Sequence, residues 1–292
     1  MKRTVLHLID TAARTFANQP YCWRKTDLGW TPTDFSTTRT NALRIARALH
    51  KRGIRAGSHI AILSEGSPEW VTFEFGVLTN ACASVPLSIK LLPEELPFRI
   101  NHSEANVIGV SLNQIKKLGT VYDRLDRDPL VVLLEPSDDD TEEARRYLPS
   151  ARVVSFRRLI EEGEEASDEV ARAVEDAIES VDESTVATIS YPSGTTGNPK
   201  GIMLTHLNYY ANSVDSIDLF QVPRGYSTLL ILPCDHSFAH TVGIYAALVR
   251  GIQLYFVDAR GGGVALVRNI PKNIVETEPT FILTVPALSG NF

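Results

Sequence analysis

Short apolar runs rich in valine, isoleucine and leucine recur along the chain at residues 59–63, 84–87, 107–110, 130–134, 153–156, 186–191, 228–233, 254–257 and 280–285. Each has the length and composition of a strand buried on both faces. Helix-length stretches separate several of them. Within 35–51, Leu43, Ala46 and Leu49 recur at a spacing of three while Arg39, Arg44 and Arg47 take other positions, which predicts a helix with one apolar face. Ser67-Pro68-Glu69 supplies an N-cap hydroxyl, a proline at the first helical position and an acid in the first turn. These predict a helix running toward Asn80. Strands alternating with helices place the chain in the α/β class.

From Pro136 to Ser184 the pattern turns acidic, with Asp138 to Asp140, Glu161 to Glu165 and a Glu/Asp-studded helical stretch over 167–180. It reads as a solvated surface helix with loops. It also divides the chain into a first α/β subdomain, 1–182, ending in this acidic connection, and the start of a second, 183–292.

Composition and charge narrow the function classes. With 292 residues, 43% of them hydrophobic, the chain can bury a large core. A net charge of −6 gives no basic footprint for nucleic acid. No apolar run is long enough to cross a bilayer, which leaves shallow peripheral contact at the inner membrane face as the form of membrane association to expect. Behind Lys2-Arg3, the residues Asp10, Arg14 and Asn18 interrupt any apolar signal core. Cys22, Cys82 and Cys234 are odd in number and widely spaced, against a disulfide framework or zinc site. A cytoplasmic location fits these features.

One segment stands apart. Thr188-Ile189-Ser190-Tyr191-Pro192-Ser193-Gly194-Thr195-Thr196-Gly197-Asn198-Pro199-Lys200-Gly201 packs hydroxyls, glycines and one lysine directly behind an apolar strand. Glycines let backbone amides turn toward an anion, hydroxyls donate to phosphate oxygens, and Lys200 adds a mobile positive charge. Such a loop suits a polyphosphate. It is not the Walker P-loop, because Pro199 precedes Lys200 and Gly201 follows it. A dinucleotide fingerprint is also missing. Downstream, Leu232-Pro233-Cys234-Asp235-His236 sets His236 just past a strand end, where α/β sheets present ligand groups. Taken locally, His236 reads more readily as a loop histidine satisfied by backbone than as a ligand group, and His240 reads that way too. Cys234 reads as core packing.

The loop resembles the phosphate-binding signature of the adenylate-forming superfamily, whose members include acyl-CoA synthetases, luciferases and the adenylation domains of peptide synthetases. The resemblance continues through Ile202-Met203-Leu204-Thr205-His206-Leu207-Asn208, with Thr205 placed to cap a helix. Gly29-Trp30-Thr31, Gly53-Ile54-Arg55-Ala56-Gly57, Ser67-Pro68-Glu69-Trp70, Ala83-Ser84-Val85-Pro86-Leu87 and Pro93-Glu94-Glu95-Leu96 follow in the family's order. Pro192 departs from the pattern, standing where a small hydroxyl residue is common, and removes one backbone donor.

The resemblance implies layered sheets with flanking helices, an incomplete N-terminal domain of the adenylate-forming fold. It implies ATP, Mg²⁺ and coenzyme A as reactants and cofactor, and a carboxylic acid activated through its adenylate. Ser193, Gly194, Thr195, Thr196 and Gly197 would hold the β- and γ-phosphates with Lys200, Thr195 would also help hold Mg²⁺, and His236 would face the acyl-adenylate. Lys200 and His236 are thus the expected catalytic residues. The acidic stretch, the 203–208 continuation and Val285-Pro286-Ala287-Leu288 resemble the long-chain branch, which implies fatty acid as substrate. An aryl-acid or amino-acid synthetase, or a non-catalytic interaction module, stays open. The family's Tyr-Gly-x-Thr-Glu segment, ribose aspartate and mobile C-terminal domain have no counterpart, so a fragment inactive alone and prone to self-association is expected.

Overall fold

The computed structural model describes residues 2–138, 140–149, 151–192 and 199–284. The strands are β1 (Pro20–Thr26), β2 (Gly29–Asp34), β3 (His59–Leu63), β4 (Ala83–Pro86), β5 (Val107–Val110), β6 (Leu130–Leu133), β7 (Val153–Ser155), β8 (Val186–Ser190), β9 (Ile202–Thr205), β10 (Ser227–Leu230) and β11 (Gln253–Phe256). The helices are α1 (Val5–Thr15), α2 (Phe35–Lys51), α3 (Pro68–Thr79), α4 (Leu96–His102), α5 (Leu112–Gly119), α6 (Asp140–Tyr147), α7 (Phe156–Glu164), α8 (Asp168–Ser180), α9 (His206–Phe220), α10 (Ala246–Arg250) and α11 (Gly262–Thr277). A π-helical turn, Ala239–Tyr245, leads into α10.

Two sheets result. The larger has the order β7-β6-β5-β3-β4-β8-β9 and is parallel except for β9, which returns antiparallel on β8. The smaller has the order β10-β11-β1-β2, with only the β1–β2 hairpin antiparallel. Both sheets draw strands from either side of residue 183. Between them lies the main core, into which α1, α2, α3, α9 and α10 send Leu8, Leu49, Phe73, Tyr209 and Ala247. Beyond the larger sheet, α4 and α5 cover its other face with Leu96, Ile100, Ile115 and Leu118. Beyond the smaller, α11 packs Ile270 on Leu229, Ile231 and Val257. The molecule is thus layered, helices alternating with sheets, as the strand–helix alternation implied.

Helix α3 shows why the layers close. Every residue from Pro68 to Thr79 except the half-buried Glu69 is buried, so this helix is apolar nearly all round and belongs inside. The Ser67 hydroxyl accepts from the Trp70 amide at 3.1 Å, and Pro68 occupies the first turn as its fixed φ favours. The 35–51 helix also forms with the expected bounds, but its inward face is Ala42, Ile45, Ala46, Ala48 and Leu49. Leu43 is only half-buried. Gly163 lets α7 lie directly on α2: a Cβ there would stand 1.8 Å from the Arg44 carbonyl oxygen.

Three strands fall outside the expected apolar runs. β1 carries Arg24 and Lys25 on a partly solvated surface, β2 includes Pro32 and lies at a sheet edge, and β9 is a short edge strand with Ile202 and Met203 exposed. Among the described residues of the run expected at 280–285, one bridge forms, Phe281 to Thr228, and residues 282–284 are not strand. The 228–233 run leaves the sheet after Leu230. No helix among the described residues is long and apolar enough to cross a membrane.

Candidate active site

The chemistry-bearing segment of the sequence connects two antiparallel strands. β8 ends at Ser190, paired with Ile202 of β9, and Ile189 pairs with Met203. The phosphate-loop signature is therefore a strand–loop–strand, with its helix, α9, placed only after the return strand. That helix begins where expected: Thr205 accepts from the Asn208 amide at 3.3 Å, and the Asn208 side chain accepts from the Thr205 amide at 2.9 Å. Ser193, Gly194, Thr195, Thr196 and Gly197 lie outside the described residues. Both flanks are described: Tyr191 and Pro192 on one side, Pro199 and Lys200 on the other.

These flanks open on a cleft of about 840 Å³ at the carboxyl ends of β4 and β8, where parallel sheets present ligands. Tyr191, Pro192 and Pro199 form one wall, and Pro233, Asp235 and His236 another. Lys90, Glu95 and Arg99 line it from the connection that follows β4. Lys200 is solvent-exposed at the rim.

His236 is held by its own turn. Its amide donates to the Pro233 carbonyl at 3.1 Å, and its Nδ1 accepts from the Phe238 amide at 3.1 Å. With Nδ1 an acceptor, the neutral ring carries its proton on Nε2. His236 can therefore donate to an anionic oxygen in the cleft without first gaining charge. Beside it, burial pushes the Asp235 carboxyl above the usual carboxylate range, and the Ser88 hydroxyl, His236 and Lys90 draw it partly back. Burial likewise raises Tyr191, whose hydroxyl meets His102 Nδ1 at 2.8 Å. Arg99 is fixed by the Glu95 carbonyl at 2.9 Å and its carboxylate at 3.3 Å.

The sequence reading did not single out Tyr191, Asp235, Lys90 or Arg99 as site residues. Tyr191 and Asp235 were visible inside the two quoted motifs, but nothing in their spacing separates cleft lining from packing. His240 is no ordinary loop histidine. It is buried within the π-helical turn, with Tyr209 and Glu74 as side-chain neighbours. Cys234 is buried and unpaired, consistent with packing. Among the described residues no group of three or more His, Cys, Asp or Glu side chains is arranged to hold a metal ion.

Comparison with known proteins gives the same direction. The family model described as AMP-binding enzyme matches residues 9–290. The peroxisomal acyl-CoA ligase 891 of Penicillium brevicompactum is 27% identical over 298 residues, covering 97% of this chain and 41% of that protein. The 4-hydroxybutyrate–CoA ligase 2 of Metallosphaera sedula is 28% identical over 205 residues, covering 70% of this chain and 35% of that one. The chain spans less than half the length of these curated relatives. A solved long-chain-fatty-acid-CoA ligase from Archaeoglobus fulgidus superposes with a TM-score of 0.74 at 20% identity, over 98% of this chain and 52% of that one, which is a likeness of fold. On the layered fold, the strand–loop–strand signature and a match that runs along almost all of its length, the chain belongs to the AMP-binding enzyme family, the adenylate-forming group that includes acyl-CoA ligases.

Proposed function

We propose that the chain carries the pyrophosphate-holding part of the active site of an AMP-forming acyl-CoA ligase, and that its substrate is a fatty acid. The observation that carries this reading is the cleft itself, where both flanks of the phosphate loop and the His236 turn share one cavity. A carboxylate oxygen of the substrate attacks the α-phosphorus of ATP, pyrophosphate leaves, and an acyl-adenylate forms. The thiol of coenzyme A then displaces AMP to give the thioester.

Positioning and charge neutralisation dominate such chemistry. Ser193, Gly194, Thr195, Thr196 and Gly197 hold the β- and γ-phosphates, and Lys200 swings from the rim to neutralise charge that grows on the departing pyrophosphate. His236, with its proton on Nε2, orients the carboxylate oxygen toward the α-phosphorus. Magnesium takes oxygen ligands, and the Asp235 carboxylate that lines the cleft is a donor of that kind, with the Thr195 hydroxyl the further ligand that the family resemblance implies. When bound, the ion adds charge neutralisation at the phosphates.

Fatty acid is favoured by the resemblance of the 203–208 segment to the long-chain branch and by relatives and fold neighbours named as acyl-CoA and long-chain-fatty-acid ligases. The hydroxy-acid ligase among the relatives supports a second reading, a short or substituted carboxylic acid. The deciding experiment is ATP–pyrophosphate exchange by the natural protein against a panel of palmitate, octanoate, 4-hydroxybutyrate, benzoate and amino acids. Exchange stimulated most by palmitate supports the reading. Stimulation by one of the others, with none by palmitate, replaces the substrate while keeping the chemistry.

A further inference from the structure

Behind the cleft lies a buried polar cluster that the chemistry above does not use. Glu74, in the middle of the largely buried helix α3, has no solvent exposure, and His240 is 1% exposed. His240 Nε2 faces Glu74 Oε1 at 3.3 Å, and neither atom is in hydrogen-bond geometry with any other group. On the other edge of the ring, His240 Nδ1 meets the Tyr209 hydroxyl at 3.3 Å, and that hydroxyl meets Thr188 Oγ1 at 2.8 Å. Trp70 and Tyr245 flank the imidazole, with ring centroids 5.3 and 5.7 Å away. The Ser84 and Tyr245 hydroxyls adjoin the Glu74 carboxyl.

The members of this cluster sit on the elements that build the cleft. Thr188 lies on β8, three residues before Tyr191 where the phosphate-loop flank begins, and Ser84 lies on β4, whose end supplies Pro86 to the cleft lining. His240 is tied to the functional turn through its amide, which donates to the His236 carbonyl at 3.3 Å. Burying so many polar groups is costly unless each is paired. One proton arrangement links Glu74, His240, Tyr209 and Thr188 in a single direction: the Glu74 acid donates to His240 Nε2, Nδ1–H donates to Tyr209, and Tyr209 donates to Thr188.

We propose that Glu74, His240 and Tyr209 are positioning residues for adenylation, holding the phosphate-loop strand through Thr188 and the His236 turn through the His240 backbone at one fixed separation. The proposal rests on the adenylating function argued above. Geometry is its basis, and the electrostatics agree: burial pushes the Glu74 carboxyl up to about 8 and holds the His240 imidazole down at about 3, so at neutral pH the pair is an acid and a neutral ring. The titratable groups facing Glu74 are His240 and Tyr245 from the π-helical turn, Tyr209 from α9, Tyr21 from β1 and Cys234 from the connection after β10. Ionising Glu74 removes the donor to Nε2, and the chain of hydrogen bonds must then rearrange.

The test uses the natural protein and its Tyr209→Phe and Glu74→Gln variants, with urea midpoints to establish that each folds. Tyr209→Phe keeps the ring and removes only the hydroxyl joining His240 to Thr188. It should lower kcat for ATP–pyrophosphate exchange about tenfold, a fraction of the ~10²-fold that a misplacement of about 1 Å can cost, with KM for ATP within about twofold. The wild type should lose kcat as pH rises through 8, and Glu74→Gln, which cannot ionise, should lack that loss. Long-range ¹H–¹⁵N spectra should show His240 protonated on Nδ1 at neutral pH. Exchange unchanged by Tyr209→Phe in a folded protein, or an alkaline loss retained by Glu74→Gln, overturns the proposal alone. No exchange by the wild type with any carboxylate overturns the functional reading and the proposal with it.

Discussion

Gly201 and Tyr191 face each other across the base of the phosphate loop, so closely that a Cβ on Gly201 would stand 3.3 Å from the Tyr191 phenol carbon and oxygen and 2.8 Å from Ile189 Cγ2. The glycine that follows Lys200 therefore has a packing reason to be glycine. It lets the return strand lie on the ring that walls the cleft. Gly201→Ala should displace Tyr191, with an overpacking cost of about 1–3 kcal/mol in stability. Adenylation should fall by about tenfold, since loop geometry sets the rate. A urea titration alongside the exchange assay checks both, and a variant with wild-type rate would mean that Tyr191 does not set the loop's position.

A second close approach tests the layering. Gly163 brings α7 against the Arg44 carbonyl oxygen of α2, and the obstructing atom is backbone, which cannot rotate away. Helix propensity alone would favour alanine there by about 1 kcal/mol. Gly163→Ala should nonetheless destabilise by about 1–3 kcal/mol, because the two helices must separate. An unchanged or raised urea midpoint would contradict the packing.

Stability should also depend on pH through His206. Its ring is buried and accepts the Val5 amide at 3.3 Å through Nδ1, and burial holds its pKa down at about 4 against an ordinary value of 6.5. The unfolded chain thus takes up the proton first. His206 contributes stability that is fully present above pH 6.5 and lost as pH falls through about 4. Glu74 has the opposite sign, its contribution being fully present below 4.5 and lost as pH rises through about 8. The informative quantity is therefore the difference between wild type and His206→Asn, whose amide oxygen can still accept from Val5. Between pH 6.5 and 5, wild type should lose more stability than the variant, and equal losses would remove His206 as the cause.

Much of this architecture was legible in the sequence, for reasons that separate the elements that were read from those that were not. The 59–63 and 107–110 strands and the helix behind Ser67 are buried apart from His59 and Glu69, and burial leaves a nearly continuous apolar run. β1 and β2 lie at partly solvated or edge positions, where Arg24, Lys25 and Pro32 are tolerated and the run disappears, and β9 is an edge strand whose apolar run is only three residues long. The segment proposed as the phosphate loop stands out in the sequence because such chemistry needs unusual residues close together. Glu74 and His240 were not, because residues 166 positions apart meet only through the tertiary fold (240 − 74). Asp235 was quoted within a motif, yet only its place in the cleft marks it as a candidate ligand.

The central claim is that the loop from Ser193 to Lys200 acts on the phosphates of ATP, and its most direct test is carboxylate-dependent ATP–pyrophosphate exchange in the natural protein and in its Thr195→Ala and Lys200→Ala variants. Each substitution removes a polar or charge-assisted contact that strengthens as charge develops on the departing pyrophosphate. Each should lower kcat by about 10²-fold or more while leaving carboxylate binding nearly unaltered. Exchange at the wild-type rate in both folded variants would contradict the account.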